Sequence, residues 1–361
     1  MNILFVISGL KMGGAEVQVC ALASELHKQG NKVAIVSMID EIEVRPESND
    51  IQVITLGLKG VASIFNGVIR FRKVVKDFNP DVVHGHLFHA IIFSRLYKKV
   101  FSLRRLVCTA HNTYDGGFSR VALYRVTDSF NDYFTNVSQE AVDSFISNRA
   151  TKPGRIKLVY NGIDIKKFRP DITFRHTVRS EFNIPDKAKL VLAVGRLHVQ
   201  KNFTLLLDVI SSIKEHQIFL LIVGAGPLLA QLREKAIELD IEKNVIFTGV
   251  RSDVPHLMSA SDLFVLSSSW EGFGLVVAEA MASGTLAVAT DCGGVKEVLG
   301  DCGYLVPPAD SCSLRDAIVQ ALSISESERT HLVNMGRKRV CNLFSIDKAV
   351  ETWLSIYNEC E

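Results

Sequence analysis

The sequence has no C-x-x-C pair. Its seven cysteines (Cys20, Cys108, Cys292, Cys302, Cys312, Cys341 and Cys360) are an odd, scattered set, which argues against a disulfide frame or a zinc site and suits reduced thiols in a cytosol. No run approaches the roughly 18 consecutive apolar residues of a spanning helix. The opening MNILFVISGL carries no basic leader and stops at Gly9, so it reads as a first strand and not as a signal peptide. The chain is therefore expected to be soluble and cytoplasmic, or attached to a membrane only at its surface. Neither charge sign dominates: 41 Lys and Arg against 39 Asp and Glu leave a net charge of +2, which gives no reason to expect a nucleic-acid partner. Short repeats and low-complexity segments are absent too, excluding solenoids and disordered linkers.

What remains is a globular composition. The chain has 361 residues, of which 47% are hydrophobic and 22% charged, enough for a sizeable core and long enough to favour two domains. Short β-rich runs (ILFVIS, KVAIVSMI, IQVITL, DVVHGH, RLVCTAHN, YFTNVS) alternate with amphipathic stretches such as GAEVQVCALASELHKQG, the rhythm of βαβ units and a parallel sheet. Past residue 165 the pattern loosens through a polar stretch containing Pro170 and Pro185, read as the crossing between domains. The rhythm restarts at LVLAVGRL and runs through FLLIVGAG, NVIFTGV, LFVLSSS and TLAVATD. The fold class is α/β, with two doubly wound Rossmann-like domains at 1–168 and 169–344. The final stretch 345–361 puts Val350, Trp353, Leu354 and Tyr357 on one helical face, so it packs against something. Gly224 and Gly226 follow an apolar strand but lack the full G-x-G-x-x-G spacing; they are read as a strand-to-helix turn.

The chemistry concentrates in residues 271–279, EGFGLVVAE. A buried strand ends in a Gly-rich turn and a helix opens near Leu275, a helix start whose unpaired N–H groups and dipole favour an anion. Glu271 lies in the turn and Glu279 about one turn into the helix, so both carboxylates can flank one ligand. Charges set among LFVL and LVV are costly unless they have partners.

This string resembles the E-x-x-x-x-x-x-x-E motif of the retaining glycosyltransferases of family four, as found in bacterial polysaccharide and lipid-linked oligosaccharide synthesis. The likeness extends to EAMASG and ATDCGGVKEVL, and to GGAE (13–16), DVVHGH (81–86), TAHN (109–112), YNGID (160–164), VGRL with QKN (194–202) and FTGV (247–250). It implies the GT-B architecture: two Rossmann-like domains with the nucleotide-sugar donor in the cleft between them, and a C-terminal segment, 345–361, that returns to the first. It also implies front-face transfer with retention.

The resemblance assigns Arg196 and Lys201 to the donor diphosphate, beside Gly274, Leu275 and Gly14 of the Gly13–Gly14 loop; two cations at a strand end can meet the charge of a departing diphosphate. It gives Glu271 the donor sugar and Glu279 the ribose, with Gly272 and Phe273 nearby, and puts Val250 and Arg251 at the base. His111, after RLVCT, is expected beside the transferred sugar as a hydrogen-bonding group and not a nucleophile; with Glu271 it makes the catalytic pair. His84, His86 and His89 crowd a strand end, yet no Asp-x-Asp occurs, so no metal or other cofactor is expected. The partners implied are a nucleotide-diphosphate sugar, UDP-linked by expectation, and a saccharide or lipid-linked acceptor. Between 64 and 106, Arg70, Arg72, Lys73, Arg95, Lys98, Lys99, Arg104 and Arg105 interleave with apolar residues. That composition fits a helix lying on an anionic membrane as well as the solvated faces of Rossmann helices. A nucleotide-sugar epimerase of the same fold is the rival enzyme.

Overall fold

The structure, a computed structural model, describes residues 1–113, 116–214 and 216–359. It divides into two compact units, Met1–Gly162 with Ile346–Glu361, and Ile163–Ser345. The chain thus crosses after Gly162, not after 168, and returns after Ser345.

In the first unit seven strands, β1 (Asn2–Ile7), β2 (Lys32–Ser37), β3 (Gln52–Thr55), β4 (Val82–His86), β5 (Leu106–Thr109), β6 (Tyr133–Asn136) and β7 (Ile156–Leu158), form one sheet in the order β3-β2-β1-β4-β5-β6-β7. All neighbours are parallel. The helices α1 (Gly14–Lys28), α2 (Ile64–Phe78), α3 (Phe88–Val100), α4 (Phe118–Thr127) and α5 (Gln139–Ser147) follow β1, β3, β4, β5 and β6. A parallel sheet covered on both faces needs continuous apolar strands, not alternating ones, and β1 supplies one. Its Leu4 and Val6 enter the core shared with Phe71 and Phe134, while Ile3, Phe5 and Ile7 enter the opposite core with Val19 and Leu22.

The second unit repeats the plan with β8 (Lys189–Val194), β9 (Ile218–Val223), β10 (Val245–Gly249), β11 (Leu263–Leu266), β12 (Ala287–Thr290) and β13 (Tyr304–Val306), in the order β10-β9-β8-β11-β12-β13. Its helices are α6 (Phe174–Glu181), α7 (Phe203–Ser212), α8 (Leu229–Glu238), α9 (Val254–Ala260), α10 (Leu275–Ala282), α11 (Val295–Leu299), α12 (Ser311–Ser323) and α13 (Glu326–Leu343). Here α6 corrects the sequence reading, because the polar stretch taken for a crossing contains a helix that belongs to this unit. Its polar look comes from arginines turned inward: Arg175 Nη2 and Arg179 Nη2 reach the two oxygens of Asp262 at 2.7 and 2.9 Å. Asp262 also accepts from the Leu190 amide at 2.7 Å, so it ties α6 to the start of β8. The Gly224 turn is explained by packing. Gly224 has φ +139°, and a Cβ there would lie 2.0 Å from the Gly195 carbonyl oxygen, so only glycine lets the ends of β8 and β9 touch.

The last helix, α14 (Ile346–Asn358), belongs to the first unit. It buries Val350, Trp353, Ile356 and Tyr357 in the core that holds Val19 and Leu22 of α1, with Leu354 half-buried at the rim, and Ile346 and Ala349 are buried nearer its start. Burying side chains of this size contributes roughly 1.5–3 kcal/mol each. Polar contacts fix its register. Buried Arg105 donates to the carbonyls of Ile356, at 2.9 Å, and Tyr357. Thr135 Oγ1 donates to the Cys108 carbonyl (3.4 Å), so it accepts from Thr109 Oγ1 (2.8 Å), which accepts from His84 Nε2 (2.7 Å). Nδ1 of His84 is then left to accept from the Tyr357 phenol at 2.6 Å. Cys360 lies outside the described residues; the other six cysteines are free.

Replacing Tyr357 by Phe keeps the ring and leaves Nδ1 of buried His84 without a donor. The first unit should lose about 1–3 kcal/mol, read as a lower denaturation midpoint; an unchanged midpoint would contradict the hydrogen-bond chain.

Candidate active site

Strand order reverses between β1 and β4 in the first unit and between β8 and β11 in the second. At such a switch point the flanking connections leave in opposite directions, opening a crevice at the carboxyl ends.

In the second unit the two loops at that point are laced together. Ser269 N donates to the Gln200 carbonyl at 2.8 Å, Gln200 Nε2 to the Trp270 carbonyl at 2.9 Å, and Ser267 Oγ to the Lys201 carbonyl at 2.8 Å. Thr290 Oγ1 braces them from β12 by donating to the Ser268 carbonyl at 2.7 Å. On this frame Lys201 Nζ meets Glu271 Oε1 at 2.5 Å, and Ser268 Oγ donates to the same oxygen at 2.7 Å. The side chains of the ion pair are only 14% and 10% exposed, so water screens the pair weakly. Beside it α10 starts without a side-chain cap, leaving first-turn amides for an anion. Gly274 makes the tight entry: its φ is +87°, and a Cβ would lie 2.9 Å from Val295 Cγ2.

Glu279 sits about one turn into α10, half-buried. Burial pushes its carboxyl up to about 7, against the pull of Lys167 and Lys201. Arg196 follows β8, exposed, and its guanidinium has no partner among the described residues. The remaining candidates are arranged differently. The Phe273 side chain is buried edge-on against Phe344, with centroids 5.4 Å apart, so any role at a ligand falls to its backbone. Gly272 accepts from the Gly294 amide at 3.1 Å, and Leu275 opens α10. Val250 is exposed, but the Arg251 guanidinium is gripped by Asp253 (2.6 and 2.8 Å) and Glu181 (2.7 and 3.2 Å). Both follow β10, at the edge of the sheet and away from the switch point.

In the first unit Gly13 precedes α1 in extended conformation, and exposed Gly14 opens the helix, which has no side-chain cap. His86 ends β4 and His111 follows β5; Nδ1 of His86 and Nε2 of His111 are 2.9 Å apart. Burial drives His84 and His86 well below the ordinary histidine value and His111 down to about 4, so all three are neutral at pH 7. This linked cluster was not legible in the sequence, which shows only three histidines near a strand end. Among the described residues no group of three or more His, Cys, Asp or Glu is disposed to hold a metal ion.

Two of the basic residues counted between 64 and 106 are interior. Arg95 is fully buried, over the Phe134 ring at 4.4 Å and donating to the Tyr124 carbonyl at 3.2 Å, and Arg105 holds α14. Arg70, Arg72, Lys73 and Lys99 are exposed. Phe65 (74%) and Ile69 on α2, and Val100 (73%) on α3, are exposed as well. Beyond the basic stretch, on α4, Phe118 is 88% and Val126 66% exposed. No helix among the described residues is long and apolar enough to cross a membrane.

Two doubly wound domains, one with cations, carboxylates and a bare helix start at its switch point, define a class of α/β protein whose strand ends carry the groups suited to an anionic, polyhydroxylated ligand. Comparison with known proteins narrows this. The model of glycosyl transferases group 1 matches residues 174–339, and that of glycosyltransferase family 4 matches residues 12–167. The N-acetyl-alpha-D-glucosaminyl L-malate synthase of Bacillus anthracis is 30% identical over 305 residues, which are 80% of this chain and 77% of that protein. The UDP-Gal:alpha-D-GlcNAc-diphosphoundecaprenol alpha-1,3-galactosyltransferase of Escherichia coli is 25% identical over 307 residues, 80% and 78% of the two chains. The crystal structure of Anabaena Alr3699/HepE in complex with UDP superposes with a TM-score of 0.86 at 21% identity, covering 99% of this chain and 100% of that one. The chain belongs to the group 1, family four glycosyltransferases, and its fold is GT-B. That membership decides for transfer over epimerisation.

The neutral histidines give a pH signature. Their folded pKa values lie below the unfolded value near 6.5, so above pH 6.5 they do not affect stability. As pH falls below 6.5 the unfolded chain takes up protons that the fold refuses, and stability drops by up to about 1.4 kcal/mol per pH unit for each histidine. Denaturant midpoints of the first unit should therefore fall between pH 6.5 and 5, a range largely above carboxylate titration. A flat profile would show that these histidines are charged in the fold.

Proposed function

We propose that this enzyme transfers a hexose or N-acetylhexosamine from a UDP-linked donor to a hydroxyl of a saccharide or lipid-linked acceptor, with retention, in surface polysaccharide or lipopolysaccharide synthesis. The observation that carries the reading is the Lys201–Glu271 contact at 2.5 Å beside the uncapped start of α10. It sets a cation, a hydroxyl-binding carboxylate and free amides at one strand end. The B. anthracis relative is named for an N-acetylglucosaminyl product and the E. coli relative for a UDP-galactose donor, while HepE was crystallised with UDP; these names support a UDP-sugar here.

In this reading the bond between the anomeric carbon and the β-phosphate oxygen breaks, and the acceptor oxygen bonds to that carbon on the same face. The acceptor proton passes to the departing phosphate. Charge on the nucleoside diphosphate is met by Lys201, Arg196 and the amides of Gly274 and Leu275, fixed donors that need no reorganisation; no metal is invoked. Glu271 holds sugar hydroxyls and Glu279 the ribose, with the base near Val250 and Arg251. From the first domain Gly14 offers a helix start and His111 a hydrogen bond to the sugar. Changing Glu271 to Ala should lower kcat by on the order of 100- to 1000-fold in a protein that still unfolds cooperatively, at a lower midpoint because Lys201 loses its partner. Full activity in that variant would sink the assignment.

The membrane partner belongs to the same reading, with a cytoplasmic enzyme resting on the inner leaflet. Phe65, Val100, Phe118 and Val126 are exposed on α2, α3 and α4, and Arg72, Lys73 and Lys99 on α2 and α3; such residues supply apolar insertion and attraction for anionic headgroups, about 1 kcal/mol per cation near the surface. The protein should float with phosphatidylglycerol vesicles at low salt, and Phe65→Ser with Phe118→Ser should abolish flotation. Failure of the unaltered protein to bind at low salt ends the proposal.

A further inference from the structure

We propose that His86 is a positioning residue that holds His111 in the tautomer carrying its proton on Nδ1, so that His111 offers its ligand an N–H donor and not a basic nitrogen. The inference rests on the reading that His111 meets the transferred sugar.

The geometry allows the tautomers to be assigned. A neutral imidazole has one N–H, and the tautomer is set by the hydrogen bonds the ring makes. The 2.9 Å contact between Nδ1 of His86 and Nε2 of His111 needs a proton from one of the two. Nε2 of His86 is fully buried and finds no hydrogen-bond partner among the described residues. If His111 were the donor, His86 would accept at Nδ1 and carry its own proton on that dry Nε2. The result would be an orphaned buried N–H, the rarer kind of unsatisfied group. Placing the His86 proton on Nδ1 removes the conflict: His86 donates, His111 accepts at Nε2, and the remaining proton of His111 stands on Nδ1. Nothing among the described residues hydrogen-bonds that atom, and His111 keeps 8% of its surface exposed. His84 does not compete, because Tyr357 and Thr109 already occupy both its nitrogens. His86 itself is held rigidly as the last residue of β4, between the rings of His84 and Phe5 at 4.0 and 5.5 Å.

The consequence for the reaction is specific. With Nε2 occupied and Nδ1 protonated, neutral His111 has no free lone pair for a general base or nucleophile. It can only donate, as to a hydroxyl or ring oxygen of a sugar.

The test uses the full-length enzyme labelled with ¹⁵N-histidine. His111 is assigned by its loss in His111→Gln, and long-range ¹H–¹⁵N correlation reads which ring nitrogen is protonated. The unaltered protein should show Nδ1–H. His86→Leu removes the donor: the His111 proton should move toward Nε2, and kcat should fall roughly 10- to 100-fold while KM for the donor changes by no more than about twofold. His86→Asn, whose amide N–H stands near the place of Nδ1–H, should restore the tautomer and most of the turnover. Purely structural damage would depress both variants alike. An Nε2–H signal from His111 in the unaltered protein overturns the proposal, and that measurement needs no variant beyond the His111→Gln used for assignment. So does a His86→Leu enzyme whose tautomer or turnover is unchanged. Full activity in His111→Gln would instead sink the catalytic role of His111, and the spectrum of the unaltered protein would still report the tautomer on its own.

Discussion

Where the order of a parallel sheet reverses, the two connections diverge, and the carboxyl ends of the adjacent strands are left without a covering helix. The chemistry-bearing residues of both units are arranged around that constraint. In the second unit the loops after β8 and β11 carry Arg196, Lys201 and Glu271. In the first, the Gly13–Gly14 loop follows β1, and His86 closes β4. The constraint is topological and costs no special sequence. What the sequence must add is loops short and braced enough to keep polar groups in place, and the hydrogen bonds among Gln200, Ser267, Ser269 and Trp270 do this.

The two units handle polar groups at their strand ends in opposite ways. The second keeps charges and pairs them. Lys201 and Glu271 are nearly buried, and removing either would leave an uncompensated charge, which is costlier than the pair is stabilising. Eight residues further on, Glu279 has no hydrogen bond to its carboxyl among the described residues, and its pKa moves to about 7. The contrast between two glutamates of one motif shows what the neighbours decide. At the strand ends of the first unit the histidines are too deep to be protonated, so every step from Tyr357 to the Cys108 carbonyl is a neutral hydrogen bond with an assigned direction. This neutral chain, together with the buried Arg105 guanidinium, holds α14 against the sheet.

Periodicity made much of this legible. Runs such as ILFVIS and LFVL carry their strand character in adjacent positions, and EGFGLVVAE announces both its turn and its helix. The features that escaped depend on contacts distant in the chain. Helix α6 was hidden because Arg175 and Arg179 look like solvated charge until Asp262, more than 80 residues on, is placed beside them. Arg95 and Arg105 read as surface cations for the same reason. Gly224 was recognised as a turn residue, but the carbonyl of Gly195 that demands it belongs to another strand. The exposed apolar residues of α4 lie beyond the basic stretch that covers α2 and α3. The site histidines were visible one at a time, whereas their hydrogen-bond order is a property of the register between β4 and β5, which sets His86 opposite Thr109.

The likeness to HepE, a TM-score of 0.86 at 21% identity, follows from the same division of labour. Core positions such as Ile3, Leu4 and Val191 need only be apolar and of suitable volume, and such positions exchange freely while the sheets persist. Gly274 and the Lys201–Glu271 pair have no such freedom. The first is fixed by a left-handed φ and a neighbouring valine, the second by a charge that its partner must neutralise. Residues whose identity is dictated by backbone conformation or by electrostatics, and not by volume, therefore gather at the strand ends. There the same sheet geometry that permits drift elsewhere leaves polar groups no other covering.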